Sequence, residues 1–392
     1  MKKTLLLIGL TGLIFPASGC SERPGAPLGE SDNGSPRLSE LLGTDDESGY
    51  ARVLEPRSFS FPEDHGPHPQ YRNEWWYVTG NLDAAGGERF GFELTIFRFA
   101  LAPADRSESA ETQSAWTSNE VYIGHFAVTD ATAGEFHVAE RHARAALGLA
   151  GAEARPLRVW VEDWWLGATA KGASAYASGP LRLHAAHRDV ELSLSLQALK
   201  PPVLNGIAGL SQKSAEPGNA SYYYSISRLQ AEGGLSIAGE RYAVSGLAWL
   251  DREWGSSALS TEQEGWDWFA LQLSDGSELM FYRLRRAGGT DDPHSAGTWI
   301  PKQGPSEHLS QNDVRIEVRD YWDSPKGGRY PNAWTIGVPR LDLRLDIDPV
   351  LDAQELETTV RYWEGAVDAT GSRSGNAVEG RGYVELTGYA RD

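Results

Sequence analysis

Two neighbouring runs decide the fold class: Glu74-Trp75-Trp76-Tyr77-Val78-Thr79-Gly80-Asn81-Leu82 and Phe90-Gly91-Phe92-Glu93-Leu94-Thr95-Ile96-Phe97-Arg98-Phe99. Both runs are rich in aromatic and β-branched residues, which favour strands. The residues between them include Gly86 and Gly87, which are typical of a turn. The sequence therefore predicts a β-hairpin with a longer loop.

Alternation along these strands predicts which side chains face a core. Glu74, Trp76 and Val78 share one face of the first strand, and Ile96 and Arg98 share the apolar face of the second. If the loop closes symmetrically, paired residue numbers sum to about 172, which places Glu74 opposite Arg98 on the core side. One interpretation is a buried salt bridge. The other is that Arg98 orients a catalytic Glu74 toward a ligand or a water molecule.

Composition limits the classes of function. Acidic residues outnumber basic ones, 54 to 36, and the formal charge of −18 is spread along the chain. This balance disfavours a phosphate-binding surface, so we expect no nucleic-acid partner. A chain of 392 residues is longer than a single core usually supports, which predicts two domains.

The N-terminus has the pattern of an export signal. Lys2 and Lys3 precede an apolar run over residues 5–15, and Ala17-Ser18-Gly19-Cys20 follows. This end resembles the lipobox of bacterial lipoproteins, which implies that residues 1–20 are a signal peptide and that Cys20 carries a lipid anchor. A plain secretory leader is the alternative. We expect an exported protein held on the periplasmic side of the cell envelope, with Ser21 favouring the outer membrane.

The rest of the chain predicts an all-β protein. Residues 21–50 are rich in Gly, Pro, Ser and acidic residues and should form a disordered tether. Short alternating runs separated by turn residues then continue to the C-terminus. Antiparallel strands in such numbers hide their edges by closing into barrels, and a barrel of about eight strands can hold one small apolar ligand.

An internal repeat predicts the domain boundary. Residues 91–99 align without gaps with residues 276–284, and each segment follows a Trp-containing strand and a turn. A chance match is the alternative for so short a segment. The repeat favours two similar antiparallel barrels, an N-terminal domain over residues 51–257 and a C-terminal domain over residues 258–392.

Several motifs occur in a fixed order along the chain. They are Phe61-Pro62-Glu63-Asp64-His65-Gly66-Pro67-His68, Glu74-Trp75-Trp76-Tyr77, Gly124-His125-Phe126-Ala127-Val128, Ser221-Tyr222-Tyr223-Tyr224-Ser225, Gly246-Leu247-Ala248-Trp249-Leu250-Asp251-Arg252-Glu253-Trp254-Gly255, Gly265-Trp266-Asp267-Trp268-Phe269, Tyr330-Pro331-Asn332-Ala333-Trp334 and Gly382-Tyr383-Val384-Glu385-Leu386-Thr387-Gly388-Tyr389. Over about residues 52–390 the chain resembles the lipocalin-like family of carotenoid 1,2-hydratases and AttH-type proteins, the latter often labelled secreted hydrolases. The resemblance implies two tandem lipocalin-like (calycin-type) barrels and does not fix the activity.

Asp251 is the strongest catalytic candidate. Alternation places it on one face with Trp249 and Glu253, pointing inward. An apolar pocket would raise the pKa of this carboxyl and keep it protonated, as a general acid requires. The resemblance to the hydratases implies the same role, with Trp249, Trp254 and Tyr224 as aromatic neighbours that stabilise a carbocation. The alternative is that Asp251 and Glu253 form structural ion pairs with arginines.

Other candidates each have a structural and a functional interpretation. His125 faces a core, as either a proton shuttle or a neutral hydrogen-bonded histidine. Trp76, Tyr77, Trp266 and Trp268 are either barrel core or, with Arg98, contacts to a ligand. His65 and His68 lack a clear third ligand, so we expect no metal, and the chain carries no phosphate loop, nucleophile elbow or zinc-protease pattern. We expect no cofactor.

Two functions of different classes fit these features. The first is a cofactor-independent hydratase or isomerase that acts by acid catalysis on an apolar isoprenoid-like or lipid-like molecule. The second is a cell-envelope lipoprotein that holds an apolar molecule without chemistry, alongside an envelope transporter. An acid at the end of an aromatic pocket favours the enzyme. Carboxylates consumed by arginines favour the carrier.

Overall fold

Antiparallel strands make up most of the described chain. The computed structural model describes residues 48–103, 118–168, 180–257 and 259–390, so Cys20, the predicted leader and nearly all of the predicted tether lie outside it. The strands form two sheets, over residues 73–255 and 263–386. The fold class predicted from the sequence, all-β with two tandem lipocalin-like barrels, is confirmed. Among the described residues, no helix has the length and apolar character needed to cross a membrane.

The first sheet, here called the first barrel, has the order β4-β3-β2-β1-β13-β12-β9-β8-β7-β6-β5, with β10 and β11 also paired to β12. Its strands are β1 (Asn73–Ala84), β2 (Arg89–Ala100), β3 (Glu120–Asp130), β4 (Glu135–Arg144), β5 (Ala150–Ala154), β6 (Leu157–Val161), β7 (Trp164–Ala168), β8 (Leu181–His187), β9 (Val190–Ala198), β10 (Val203–Leu204), β11 (Leu210–Gln212), β12 (Ala220–Ile237) and β13 (Glu240–Gly255). The predicted hairpin is β1 and β2, and its register pairs Glu74 with Arg98, as the symmetric loop predicts.

The second sheet, here called the second barrel, has the order β17-β16-β15-β14-β23-β22-β20-β19-β18, with β21 paired to β22. Its strands are β14 (Gln263–Leu273), β15 (Glu278–Arg286), β16 (Ala296–Ile300), β17 (Glu307–Ser310), β18 (Arg315–Asp323), β19 (Arg329–Val338), β20 (Leu343–Pro349), β21 (Glu355–Glu357), β22 (Arg361–Arg373) and β23 (Asn376–Leu386). Short 3₁₀ turns lie at Glu63–His65, Gln311–Asp313 and Pro339–Leu341.

Three large apolar cores, and a smaller cluster around Leu356, Val360 and Tyr362, hold the described parts of these sheets together. One fills each barrel, and the third lies between the barrels and takes side chains from both. Trp76 and Val78 of β1 belong to the core of the first barrel, whereas Tyr77 of the same strand belongs to the shared core. Both faces of β1 are therefore buried, because each side of the strand packs against a different core.

This two-sided burial decides where one face of β13 points. Ala248 and Leu250 point into the first barrel, while Trp249 packs in the shared core between the barrels. Alternation groups Trp249 and Asp251 on one inward face, but it does not show whether that face points into a barrel or between the barrels. The face points toward the second barrel, because that barrel covers the outer side of β13.

Direct contacts join the two barrels. The Asn81 side-chain amide donates a hydrogen bond to the Gly382 carbonyl oxygen at 3.0 Å. Arg89 binds both carboxylate oxygens of Asp368 at 2.7 Å. At Gly91 a Cβ would lie 2.7 Å from the Cβ of Ala366, so a glycine is needed for the sheets to approach this closely.

Candidate active site

A cavity of about 820 Å³, its open mouth included, lies between the barrels. The part that the centre of a water-sized molecule can reach is about 90 Å³. Its walls are mainly aromatic and carry a few polar groups. The lining residues are Trp75, Tyr77, Thr95, Phe97, Lys213, Tyr223, Asp251, Glu253, Ser257, Leu259, Trp266, Trp268, Tyr282, Leu284, Tyr362, Glu364 and Glu385. An apolar molecule with a small number of polar atoms fits such a lining.

Asp251 is held in the cavity wall by three donors. The Tyr223 hydroxyl donates to one carboxyl oxygen, and Ser225 Oγ at 2.5 Å and Trp249 Nε1 at 2.6 Å donate to the other. The Tyr223 oxygen also accepts a hydrogen bond from Trp268 Nε1 at 3.1 Å. Burial raises the pKa of Asp251 to about 7, more than these hydrogen bonds lower it. The carboxyl can therefore hold or release a proton near neutral pH.

Glu253, two residues further along the same face, is paired with a cation. Lys213 Nζ lies 3.0 Å from its carboxylate, and the Ser221 hydroxyl donates to it. Burial pulls the pKa of Lys213 down, but the negative charge of Glu253 outweighs this effect and holds the pKa above its ordinary value. The ammonium group also lies 4.3 Å from the ring centroid of Tyr282. This side of the cavity thus carries a balanced charge pair.

Two further carboxyls of the cavity lining come from the second barrel and have no salt-bridge partner in the part of the chain that the structure describes. Glu364 and Glu385 come from β22 and β23, and Glu93 of β2 lies close to both. Within the described residues, no donor has hydrogen-bond geometry to the carboxyl oxygens of Glu93 or Glu364, although the hydroxyl of Thr95 near Glu93 and those of Tyr77 and Tyr362 near Glu364 favour the charged forms. Burial, and then mutual repulsion, raises the pKa of Glu364 and Glu385, while burial raises that of Glu93. The raised pKa values favour the protonated form of these three carboxyls at neutral pH.

His125 reaches the cavity through a tyrosine. Its Nδ1 lies 2.8 Å from the hydroxyl of Tyr362, which lines the cavity, and its Nε2 lies 3.1 Å from Glu140. Burial lowers the pKa of His125, so the ring is neutral. Burial raises the pKa of Glu140, but hydrogen bonds from His125, His142 and Thr359 outweigh it and lower the pKa to about 2. The result is an ordered Tyr-His-Glu chain.

Glu74 and Arg98 lie away from the cavity, inside the first barrel. Glu74 is fully buried and forms ion pairs with both Arg98 and Arg252, and it accepts the backbone N–H of His68 at 3.0 Å. Burial raises the pKa of Glu74, but the two arginines outweigh it and hold the pKa well below its ordinary value. This geometry is that of a structural anion with all its charge compensated.

The remaining predicted residues divide into two groups. Tyr77, Trp266 and Trp268 line the cavity together with Asp251 and Glu253, and Trp249 touches it through Asp251. Trp76, Tyr224 and Trp254 pack in the core of the first barrel. Tyr224 binds His65 at 2.6 Å, and Trp254 stacks on His68.

Several cavity residues were not singled out from the sequence: Tyr223, Lys213, Tyr362, Glu364 and Glu385. Tyr223 and Glu385 lie inside quoted motifs, but nothing local distinguishes them from their neighbours. Tyr362 and Glu364 alternate on β22 as Trp249 and Asp251 alternate on β13. This spacing, an aromatic residue followed two positions later by an acid, is the signal that could have identified them.

The fold and the site define a class of protein: two tandem β-barrels with an acidic, aromatic-walled cavity between them. The AttH-like family profile matches residues 52–389, and the chain belongs to this family. The crystal structure of an AttH protein from Nitrosomonas europaea has the same fold, with a TM-score of 0.76. The two sequences are 32% identical, and the match covers 87% of this chain and all of that one.

Two more distant relatives have named activities. The crystal structure of kievitone hydratase from Nectria haematococca shares the fold, with a TM-score of 0.64 and 16% identity over 86% of this chain and 96% of that one. The dehydratase asqC of Emericella nidulans is 23% identical over 232 residues. That match spans 53% of this chain and 60% of asqC, so less than two thirds of the relative is covered.

Proposed function

We propose that the protein is a hydratase or dehydratase that acts by acid catalysis on an apolar, isoprenoid-like or lipid-like molecule bound between the barrels. The position of Asp251 carries this proposal. It is a fully buried carboxyl in an aromatic wall, with a pKa of about 7 and no arginine partner among the described residues. A general acid works best when its pKa lies near the working pH.

The chemistry follows from this arrangement. Protonated Asp251 donates its proton to a carbon–carbon double bond of the bound molecule, and a carbocation forms. The faces of Tyr77 and Trp268 lie in the same cavity, and a cation over an aromatic face gains about 0.5–2 kcal/mol when water is excluded. Water then adds to the cation. Hydration and dehydration share this transition state, so one site serves both directions.

The named relatives support this reaction class. One is a hydratase and one is a dehydratase, and both reactions add or remove water. The alternative of a carrier without chemistry predicts cavity carboxylates neutralised by arginines. Among the described residues, Glu74 inside the first barrel has two arginine partners, whereas the cavity carboxyls Asp251 and Glu364 have none and Glu253 pairs with Lys213. Export and a lipid anchor at Cys20 stay predictions of the sequence.

The test combines heavy-oxygen water with one substitution. The protein is incubated with an apolar extract of its own cells in oxygen-18 water, and mass spectrometry searches for a product that has gained labelled oxygen. We expect Asp251→Asn to lower the rate of labelling about 10²–10⁴-fold, because it removes the acid but keeps the shape of the side chain.

Binding provides the control for this test. The variant should retain the wild-type melting temperature and the same bound molecules in native mass spectrometry. Undiminished labelling by Asp251→Asn would contradict the assignment of the acid. Recovery of a bound molecule that the wild-type protein never labels would favour the carrier.

A further inference from the structure

The Tyr362-His125-Glu140 chain has the geometry of an activated base beside the cavity. Tyr362 lines the cavity, the hydrogen-bond partner of its hydroxyl is the Nδ1 of His125, and Nε2 of the same ring faces Glu140. A neutral imidazole donates from one nitrogen and accepts at the other. Because Glu140 is a carboxylate that can only accept, Nε2 carries the hydrogen and Nδ1 accepts from Tyr362.

Each member of the chain is held in place by further contacts. Glu140 accepts hydrogen bonds from the Thr359 backbone N–H at 3.0 Å and from the Thr359 hydroxyl at 2.9 Å, and it pairs with His142 at 2.9 Å. His125 is 2% exposed, so water does not compete for its ring nitrogens. A nucleophile or base oriented by a histidine, with a carboxylate behind it, is the arrangement that activates hydroxyl groups in enzymes.

We propose that Tyr362 is the second catalytic residue of the site, a general base and acid activated by His125 and positioned by Glu140. This assignment rests on the proposed function, since addition of water needs a group that takes a proton as well as one that gives it. Asp251 comes from β13 of the first barrel and Tyr362 from β22 of the second. The two barrels therefore each supply one of the two proton-transfer groups.

The protons balance in the hydration direction. Asp251 gives its proton to the double bond, and the oxygen of water forms a bond to the resulting cation. As that bond forms, one O–H bond of the water breaks and the proton passes to the Tyr362 oxygen, while the Tyr362 proton passes to Nδ1 of His125. The imidazolium is then paired with Glu140. The relay runs back through Tyr362 to a water molecule in the cavity, and a proton from water restores the acid form of Asp251. Tyrosine acts only as a relay, which suits a phenol whose pKa burial raises well above its ordinary value.

A covalent probe tests the activated phenol without knowledge of the substrate. Benzenesulfonyl fluoride is a small apolar electrophile that fits an aromatic cavity. Its sulfur forms a bond to the Tyr362 oxygen, the sulfur–fluorine bond breaks, fluoride leaves, and His125 takes the phenol proton. Peptide mapping of the full-length protein should find the adduct on Tyr362. His125→Gln should slow its formation about a hundredfold or more, as loss of a general base does.

Two matched tyrosines control for simple burial and for simple contact with histidine. Tyr224 binds His65 at 2.6 Å, but this pair lies in the core of the first barrel and should stay unlabelled. Tyr383 is buried on β23 outside the cavity lining, so Tyr383→Phe should leave the rate of labelling at Tyr362 unchanged.

Chemical rescue separates activation from a merely structural role. Imidazole added to His125→Ala should restore labelling, since the free base can occupy the vacated space. Absence of an adduct on Tyr362, or labelling that His125→Gln does not slow, would overturn the proposal. Asp251→Asn should keep the labelling. If labelling persists while no hydration is found, the proposed function fails and the activation of Tyr362 stands.

Discussion

Two groups of buried carboxyls in this protein differ in charge, because one group has cationic partners and the other does not. Glu74, inside the first barrel, is fully buried and charged because Arg98 and Arg252 both contact it. Glu364, in the cavity between the barrels, is equally buried but has no cation beside it among the described residues, and its pKa is raised. Burial alone therefore does not determine the charge of a carboxyl. The partner determines it.

This difference separates carboxyls that stabilise the fold from carboxyls that can transfer a proton. A buried charge with matched partners holds strands in register and has no proton to give. A cluster of uncompensated acids costs stability, and such groups concentrate at sites where proton transfer is needed. Glu253 lies between the two cases, since it faces the same cavity as Asp251 but is neutralised by Lys213.

The largest loss of stability is expected when Glu74, the carboxyl paired with two arginines, is replaced. Glu74→Gln removes the buried anion that both Arg98 and Arg252 contact, and breaking such a buried pair typically costs about 3–5 kcal/mol. Urea denaturation measures the loss in free energy of unfolding. Glu120→Gln is the control: Glu120 lies 3.4 Å from Arg98 but is partly exposed, so its loss should cost less than about 1 kcal/mol. Equal losses for the two variants would contradict the structural role of Glu74.

An intermediate loss of stability is expected when the paired carboxylate of Glu253 loses its cation. Lys213→Met removes the ammonium group beside Glu253. We expect the free energy of unfolding, measured by urea denaturation at pH 8, to fall by about 1–3 kcal/mol. Lys200→Met is the matched control, since its partner Glu278 keeps Arg228 at hydrogen-bonding distance, so its loss should be smaller. An equal loss for the two variants would show that packing of the lysine chain, and not its charge, is what matters.

The sequence predicts the paired centre better than the cavity. Register in a hairpin follows from its loop, so Glu74 opposite Arg98 could be predicted from local spacing alone. The aligned repeat places Arg283 where the first hairpin has Arg98, and Arg283 pairs across the second hairpin with buried Asp267. Arg252, the second partner of Glu74, could not be predicted in this way, because it lies on β13 and the pairing of β1 with β13 is not local.

The cavity depends on contacts between barrels, which no local pattern encodes. Alternation correctly groups Trp249 with Asp251 but does not say whether that face looks into a barrel or out of it. Trp75 and Tyr77 carried the missing signal. Large aromatic residues on both faces of β1 indicate burial on both sides, as in strands that are covered twice. His125 was correctly expected to face a buried environment, but its partner Tyr362 belongs to the other barrel.

The unpaired side should respond in the opposite direction, with a gain in stability when one acid is removed. The pKa of Glu364 is raised in the folded protein, so the stability it contributes is complete below its ordinary pKa of 4.5 and is lost as the pH rises through the folded value. Glutamine stays neutral throughout. Glu364→Gln should therefore match the wild type near pH 4 and become the more stable protein toward pH 8, by about 1.4 kcal/mol for each unit of raised pKa.

Melting temperatures at the two pH values measure this difference, with exposed Glu317→Gln as a control that should show none. The charges that face Glu364 are those of Glu93 and Glu385, and Tyr77 and Tyr362 lie beside it. Since these carboxyls repel one another, removing one should also lower the pKa of the others, which adds to the gain. A variant that is less stable than the wild type at pH 8 would mean that a cation compensates Glu364 after all, and the contrast with Glu74 would then disappear.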